Sequence, residues 1–223
     1  PWPVLTFKTE PSAVKISMYL TKQFNFTEHA RTIIREHPFA SLISNDDSGF
    51  PFVSHIPIKL VSHPTDTSQD LLLGHVAKGN PHAAFLTQRP NVLLTFMGPQ
   101  AYKSPAVYPD LIRVPTWSYL AVHVKVQVRM LEGEEAKDAI LKQLISDHEP
   151  PYAQQWRDLP ETYTHAMLNG IVAFEMQMLD IQTKVKLNQH RPESHAAMHA
   201  AYEAGGESEK ALALWMRRLG MVS

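Results

Sequence analysis

Four short stretches of this chain combine residues able to bind or transfer charge with residues that stiffen the backbone. In "GHVAKGNPHAAFL", a strand-like run ends at a turn holding Lys78 and Gly79, and a helix then opens with Asn80 at its cap and Pro81 at its first position. That pairing suits a helix start, and the unpaired N–H groups there, beside a lysine, form a ready phosphate site. The same residues equally describe a well-capped helix with a solvated lysine. "PFVSHIPIKL" puts His55 in a strand just ahead of Pro57, and proline in a strand marks an edge or a bulge where backbone groups are free for a ligand. His55 and His75 fall on separate strands and either point into one cleft or are satisfied singly in the core or at its rim.

The loops "GPQAYKSPAVYP" and "VPTWSY" contribute Tyr102, Ser104, Tyr108, Thr116, Trp117 and Ser118. Stacking surfaces and hydroxyls so arranged suit the face and edge of a heterocycle. "TKVKLNQHRP" adds Lys184, Lys186, Asn188, Gln189 and His190, or else is a polar turn with scattered charge. Two further signals carry little. His195 and His199 lie four apart on one helix face, but no Glu follows the first, as a zinc protease helix requires, and no third ligand is evident, so no metal is expected. Arg217 and Arg218 close a helix, where cations complement the dipole, and no helix-turn-helix pattern accompanies them. Nucleophile elbow, Walker loop and GxGxxG are all missing, and no catalytic residue is assigned.

The elements that must position these residues read mainly as strands. "FASLISN" and "FPFVSHIPIKLV" flank the hairpin signal "DDSG"; "LLLGHVA", "NVLLTFMG", "AVHVKVQVRM" and "IVAFEMQML" follow. Val122, Val124, Val126 and Val128 alternate with His123, Lys125, Gln127 and Arg129, one face dry and one wet. Helical spacing marks "TEHARTIIREH", capped by Thr27, then "EGEEAKDAILKQLISDHE", "ETYTHAMLN" and a tail in two helices broken at Gly205 and Gly206. "PPYAQQWRDLP" reads as an irregular link. Six strands, with helices toward the ends, predict a mainly β fold with added α: an antiparallel barrel decorated by helices and closed by a C-terminal helical pair. A doubly wound parallel sheet is excluded by the first hairpin.

The chain has 223 residues, 44% hydrophobic, enough for a sizeable core. Its 21 Lys and Arg against 22 Asp and Glu give a formal charge of −1, which argues against a surface dominated by nucleic acid. The absence of cysteine removes disulfides, thiolate nucleophiles and Cys-ligated zinc. No apolar run is long enough to span a bilayer and the opening does not read as a signal peptide, so the expected location is the cytoplasm. Residues 1–17 read as an N-terminal extension or arm, 18–190 as the barrel domain and 191–223 as a helical segment packed on it.

"MYLTKQF", "HPFASLIS", "PFVSHIPI", "GHVAKGNP", "FMGPQAYKSP", "VPTWSY", "IVAFEM" and "KVKLNQHRP" occur in that order, and together they resemble the PaiB-like family, FMN-binding negative transcriptional regulators. The likeness runs from about Met18 to the end of the chain. It implies an FMN-binding split barrel, a homodimer with flavin near the subunit interface, and a part in transcriptional repression in which the flavin senses redox or metabolic state. The flavin contacts it implies are His55, His75, Lys78, Asn80, Thr116, Trp117, Lys186 and Gln189. The lysines and the Asn80 helix start would take the phosphate and the loop groups the ring, all in one pocket. Several residues differ from the family's usual ones: Lys78 stands for Arg, Ser118 for Asn, Asn188-Gln189-His190 for Ser-Gln-Asn, and Val107 for Trp. A flavin-dependent reductase acting on a small substrate is the alternative function, and direct DNA contact a third, weaker one.

Overall fold

The structure, a computed structural model, describes residues 18–110 and 112–223; the expected arm at 1–17 lies outside the described residues. After two short 3-10 turns, Lys22–Phe24 and Thr27–His29, helix α1 (Ala30–Glu36) leads into strand β1 (Phe39–Asn45). Ala40 and Leu42 point inward while Phe39, Ser41 and Ile43 point outward. The hairpin to β2 (Pro51–Pro57) is set by Asp46, whose Oδ1 accepts from Ser48 N at 2.8 Å and Phe50 N at 3.0 Å, and by Gly49 at φ 87°.

The run expected as one strand over "FPFVSHIPIKLV" divides. Pro57 has no N–H to continue a ladder, and Ile58 N donates instead to Pro38 O at 2.9 Å. The segment beyond, β3 (Lys59–Val61), pairs with β4 (Leu71–Ala77). Helix α2 (His82–Gln88) joins β4 to the long strands β5 (Asn91–Lys103) and β6 (Thr116–Leu131). Then come α3 (Glu134–His148), α4 (Tyr152–Asp158), α5 (Glu161–Asn169), β7 (Ile171–Lys186) and the terminal helices α6 (His195–Glu203) and α7 (Glu207–Arg218). The strands number seven among the described residues, one more than expected, and α4 occupies the segment read as an irregular link.

The sheet order is β2-β1-β5-β6-β7-β4-β3, and every pairing in it is antiparallel. Its two edge strands, β2 and β3, are separated in sequence only by Ile58. The sheet must therefore curl until its edges nearly meet; β2 and β4 approach within 8 Å without a ladder between them. The result is a split barrel, mainly β with helices on its ends and flank. Leu42, Phe96, Leu120, Val122, Phe174 and Met176 fill its interior. Helix α7 buries Leu212, Trp215 and Met216, and α6 ties in through Tyr202, whose hydroxyl donates to Ser118 Oγ at 2.8 Å. Among the described residues no helix is long and apolar enough to cross a membrane.

Candidate functional site

Strand register sorts the expected site residues into three places. His55 lies opposite Ser41, which pairs with Thr95, then His123, then Gln182, so these five form one row on the outer face of the sheet. His55 Nδ1 is 3.0 Å from Ser41 Oγ, and the Phe39 ring stacks on the imidazole at 6.4 Å. Exposed Phe39, Val53 and Met97 flank this row.

The second place is the far end of β4. His75 sits opposite Ala173, beside the small core that Leu73 and Ala173 form with Ile140 of α3. Its Nδ1 is buried without a hydrogen-bond partner, and burial holds its pKa below the ordinary histidine value. Lys78 is exposed on the turn that follows, its N–H donating to Gly170 O at 2.8 Å. Helix α2 starts at His82 with Pro81 at its N-cap, one residue later than expected; Asn80 Oδ1 accepts from His82 N at 2.9 Å, and its amide donates to Ser54 Oγ at 3.0 Å. His82 is wholly buried between Ser44 Oγ at 3.0 Å and Ser54 Oγ at 2.9 Å, with Phe52 edge-on at 5.1 Å. Asn80 and His82 thus brace the open seam between β2 and the end of β4. Helix α2 has only seven residues, and the Asn80 side chain ahead of it is engaged within the protein.

The third place is the mouth between β5, β6 and the end of β7. Trp117 is 54% exposed and meets Tyr102 edge to face, ring centroids 6.4 Å apart. Lys186 Nζ donates to Thr116 Oγ1 at 2.6 Å. Lys186 lies opposite Tyr119, and Thr116 opposite Lys103. The Lys103 ammonium, almost fully buried, donates to the Tyr108 hydroxyl, which donates to Asn188 Oδ1 at 3.0 Å. Asn188, at φ 67°, adopts the left-handed conformation that asparagine tolerates, and its amide holds Ser194 Oγ at 2.7 Å. Gln189 braces this turn: Oε1 accepts from Leu187 N at 3.0 Å and Nε2 donates to Val185 O at 2.6 Å. Burial, then the charges of Lys184 and Lys103, lower the pKa of Lys186. Ser118 points inward to Tyr202, away from this mouth, and Val107 is buried in the core.

The expected convergence into one pocket does not occur within a single chain. Ala77, next to Lys78, pairs with Ile171 at the start of β7, and Tyr119 pairs with Lys186 at its end. Those 16 residues span a contour of roughly 50 Å at about 3.3 Å per residue. Lys78 and Asn80 therefore stand at one end of the longest common strand, Thr116, Trp117, Lys186 and Gln189 at the other, and His55 on the outer sheet face. Ser54, His82 and Lys103 escaped the reading of the sequence. Ser54 and His82 sit beside residues that drew attention, in "VSH" and "NPH", but only the seam shows their purpose. Of the two histidines weighed as metal ligands, His195 Nε2 lies 3.0 Å from Asn188 O, whereas His199 Nε2 is buried without a hydrogen-bond partner, with Glu203 Oε1 3.8 Å away. Among the described residues no cluster of three or more His, Asp or Glu is placed to hold a metal ion.

Residues 18–180 match the family model described as "Putative FMN-binding domain". The chain belongs to this PaiB-like family of FMN-binding domains. It is 31% identical over 182 residues to the "Protease synthase and sporulation protein PAI 2" of Bacillus subtilis, covering 79% of this chain and 84% of that one. Among solved structures it is similar in fold to the FAD and heme binding protein from Mycobacterium smegmatis, with TM-score 0.55, 15% identity, and 73% of each chain covered. It is likewise similar to the flavocytochrome Anf3 from Azotobacter vinelandii, with TM-score 0.53, 13% identity, and 72% of this chain and 67% of that one covered.

Proposed function

We propose that the protein binds FMN at a site completed by two copies of the chain, and that it acts as a regulator whose flavin reports redox or metabolic state. The observation that carries the FMN reading is the family match over residues 18–180. The residues present fit such a group: Trp117 and Tyr102 offer aromatic faces, and Lys186 with Thr116 offers positive charge and a hydroxyl beside them. When bound, FMN supplies redox chemistry that no side chain of this cysteine-free protein provides.

The separation of the site residues supports assembly as a homodimer. A two-fold axis across the outer sheet face and perpendicular to β7 would set the Lys78 end of one β7 against the Lys186 end of the other, and would cover exposed Phe39, Val53 and Met97. Regulation is favoured over direct DNA reading because Arg217 and Arg218 are paired with Glu203 at 3.1 Å and Glu36 at 2.7 Å, and the net charge is −1.

Titration of purified protein with FMN, followed by absorption and by tryptophan fluorescence, tests the reading. Saturable perturbation of the flavin bands with quenching lost in Trp117→Phe is expected; an unperturbed flavin spectrum overturns it. Sustained NAD(P)H oxidation by the loaded protein in the presence of an acceptor would move the function from regulator to reductase.

A further inference from the structure

A cavity of about 450 Å³ lies between the C-terminal turn of α1, the corner where β2 passes into β3, and the last turns of α3. Its apolar lining is aliphatic throughout, formed by Ile34, Pro38, Ile58, Leu60 and Leu144. The charged side chains of the lining come as neighbours of opposite sign. Lys59 Nζ on β3 donates to Asp147 Oδ1 and Oδ2 on α3 at 2.5 and 2.6 Å, so the pair joins two of the walls. The Lys59 and Asp147 side chains are 26% and 35% exposed, partly shielded from water and still within reach of a ligand. On the α1 wall Arg35 and Glu36 repeat the alternation. Arg35 Nη2 donates to the uncharged Ser62 Oγ at 2.6 Å, and Glu36 is held by Arg218 at 2.7 Å. His148, the last residue of α3, completes the rim.

We infer that this cavity binds a free α-amino acid with an aliphatic side chain. Its volume lies within the range of small-molecule sites, about 300–1,000 Å³. The charges select the class of guest. A molecule bearing only a carboxylate gains Lys59 but sets a second anion against Asp147, and one bearing only an amine does the converse. Either leaves a partly dehydrated charge facing its like. An α-amino acid carries both signs on adjoining atoms. Its carboxylate meets Lys59, whose ammonium has three donors, and its ammonium meets Asp147, whose two oxygens have lone pairs for more than one donor. An aliphatic side chain then covers Ile58, Leu60 and Leu144, gaining from the water it displaces. That floor has no ring to stack on and no hydroxyl to bond, so an aliphatic side chain suits it better than an aromatic or polar one. The flavin reading uses none of these residues, and the two sites are independent.

L-leucine titrated calorimetrically into the full chain is the probe, beside three partial mimics: isocaproate, which lacks the amine, isoamylamine, which lacks the carboxylate, and glycine, which lacks the side chain. Saturable leucine binding is expected, with each mimic weaker by about tenfold or more. Lys59→Gln and Asp147→Asn are each expected to weaken leucine about tenfold, and thermal unfolding without ligand verifies that both variants fold. Absence of saturable leucine binding by the unaltered chain overturns the inference. So do mimics that bind as tightly as leucine, or undiminished binding by both folded variants. The comparison of mimics needs no variant. FMN titrated into the same proteins separates the two readings: leucine binding without FMN binding overturns the flavin reading alone, and FMN binding without leucine binding overturns the amino-acid site alone.

Discussion

His82 is fully buried, and its two ring nitrogens are the partners of two nearly buried serine hydroxyls. Removing the imidazole empties a core site and strands Ser44 and Ser54, so His82→Ala is expected to cost about 2–4 kcal/mol of stability, read from urea unfolding. Its charge state matters as well. Burial lowers the pKa of His82, His75 and His37 below 6.5 in the folded chain. As pH falls below 6.5 the unfolded chain takes up protons that the folded chain resists, so stability is full above that value and declines through the folded pKa values beneath it. His82→Gln is expected to flatten this decline, seen in unfolding midpoints collected across a pH series. The sequence did not reveal this role, because a histidine after "NP" carries no sign of which strand will lie against it.

At the scale of the element, a single extra residue in β5 decides where Lys103 points. Met97 pairs with Ala121 but Gln100 with Tyr119, three steps on one strand against two on the other. This bulge at Gly98-Pro99 reverses the alternation, so that Tyr102 faces out and Lys103 in. A strand read as ending at Gly98 hides both the bulge and the parity beyond it, which is why Lys103 was missed. Gly98 is fitted to its place: a Cβ there would stand 2.9 Å from Leu120 Cβ. Gly98→Ala is expected to destabilise by about 1–3 kcal/mol, read from urea unfolding. The valine alternation of β6, by contrast, was plain in the sequence and survives in the structure, with Val122, Val124, Val126 and Val128 all buried.

For the whole molecule, the outer sheet face is the surface the proposed dimer would cover. Phe39 is 66% exposed and stands beside the His55 row. Sedimentation is expected to give a dimer, and Phe39→Asp, whose side chain the single chain barely buries, a folded monomer. If the proposed two-fold interface joins the two ends of β7, the same change weakens FMN binding about tenfold or more. A monomer that binds FMN undiminished would refute the shared site.

Local order in the sequence determined most of what local forces can: which stretches alternate, where the Asp46–Gly49 turn falls, that a helix opens just after Asn80, and that the ordered motifs are those of an FMN-binding family. Only the tertiary structure decided that "FPFVSHIPIKLV" breaks at Pro57 to supply both edges of a curled sheet, and that Lys78 and Lys186 stand at opposite ends of β7. The reason is physical. Alternation and turn formation depend on neighbours a few residues apart, whereas the closing of the barrel and the inward turn of Lys103 depend on strand register and a bulge, which are set by the packing of segments far apart along the chain.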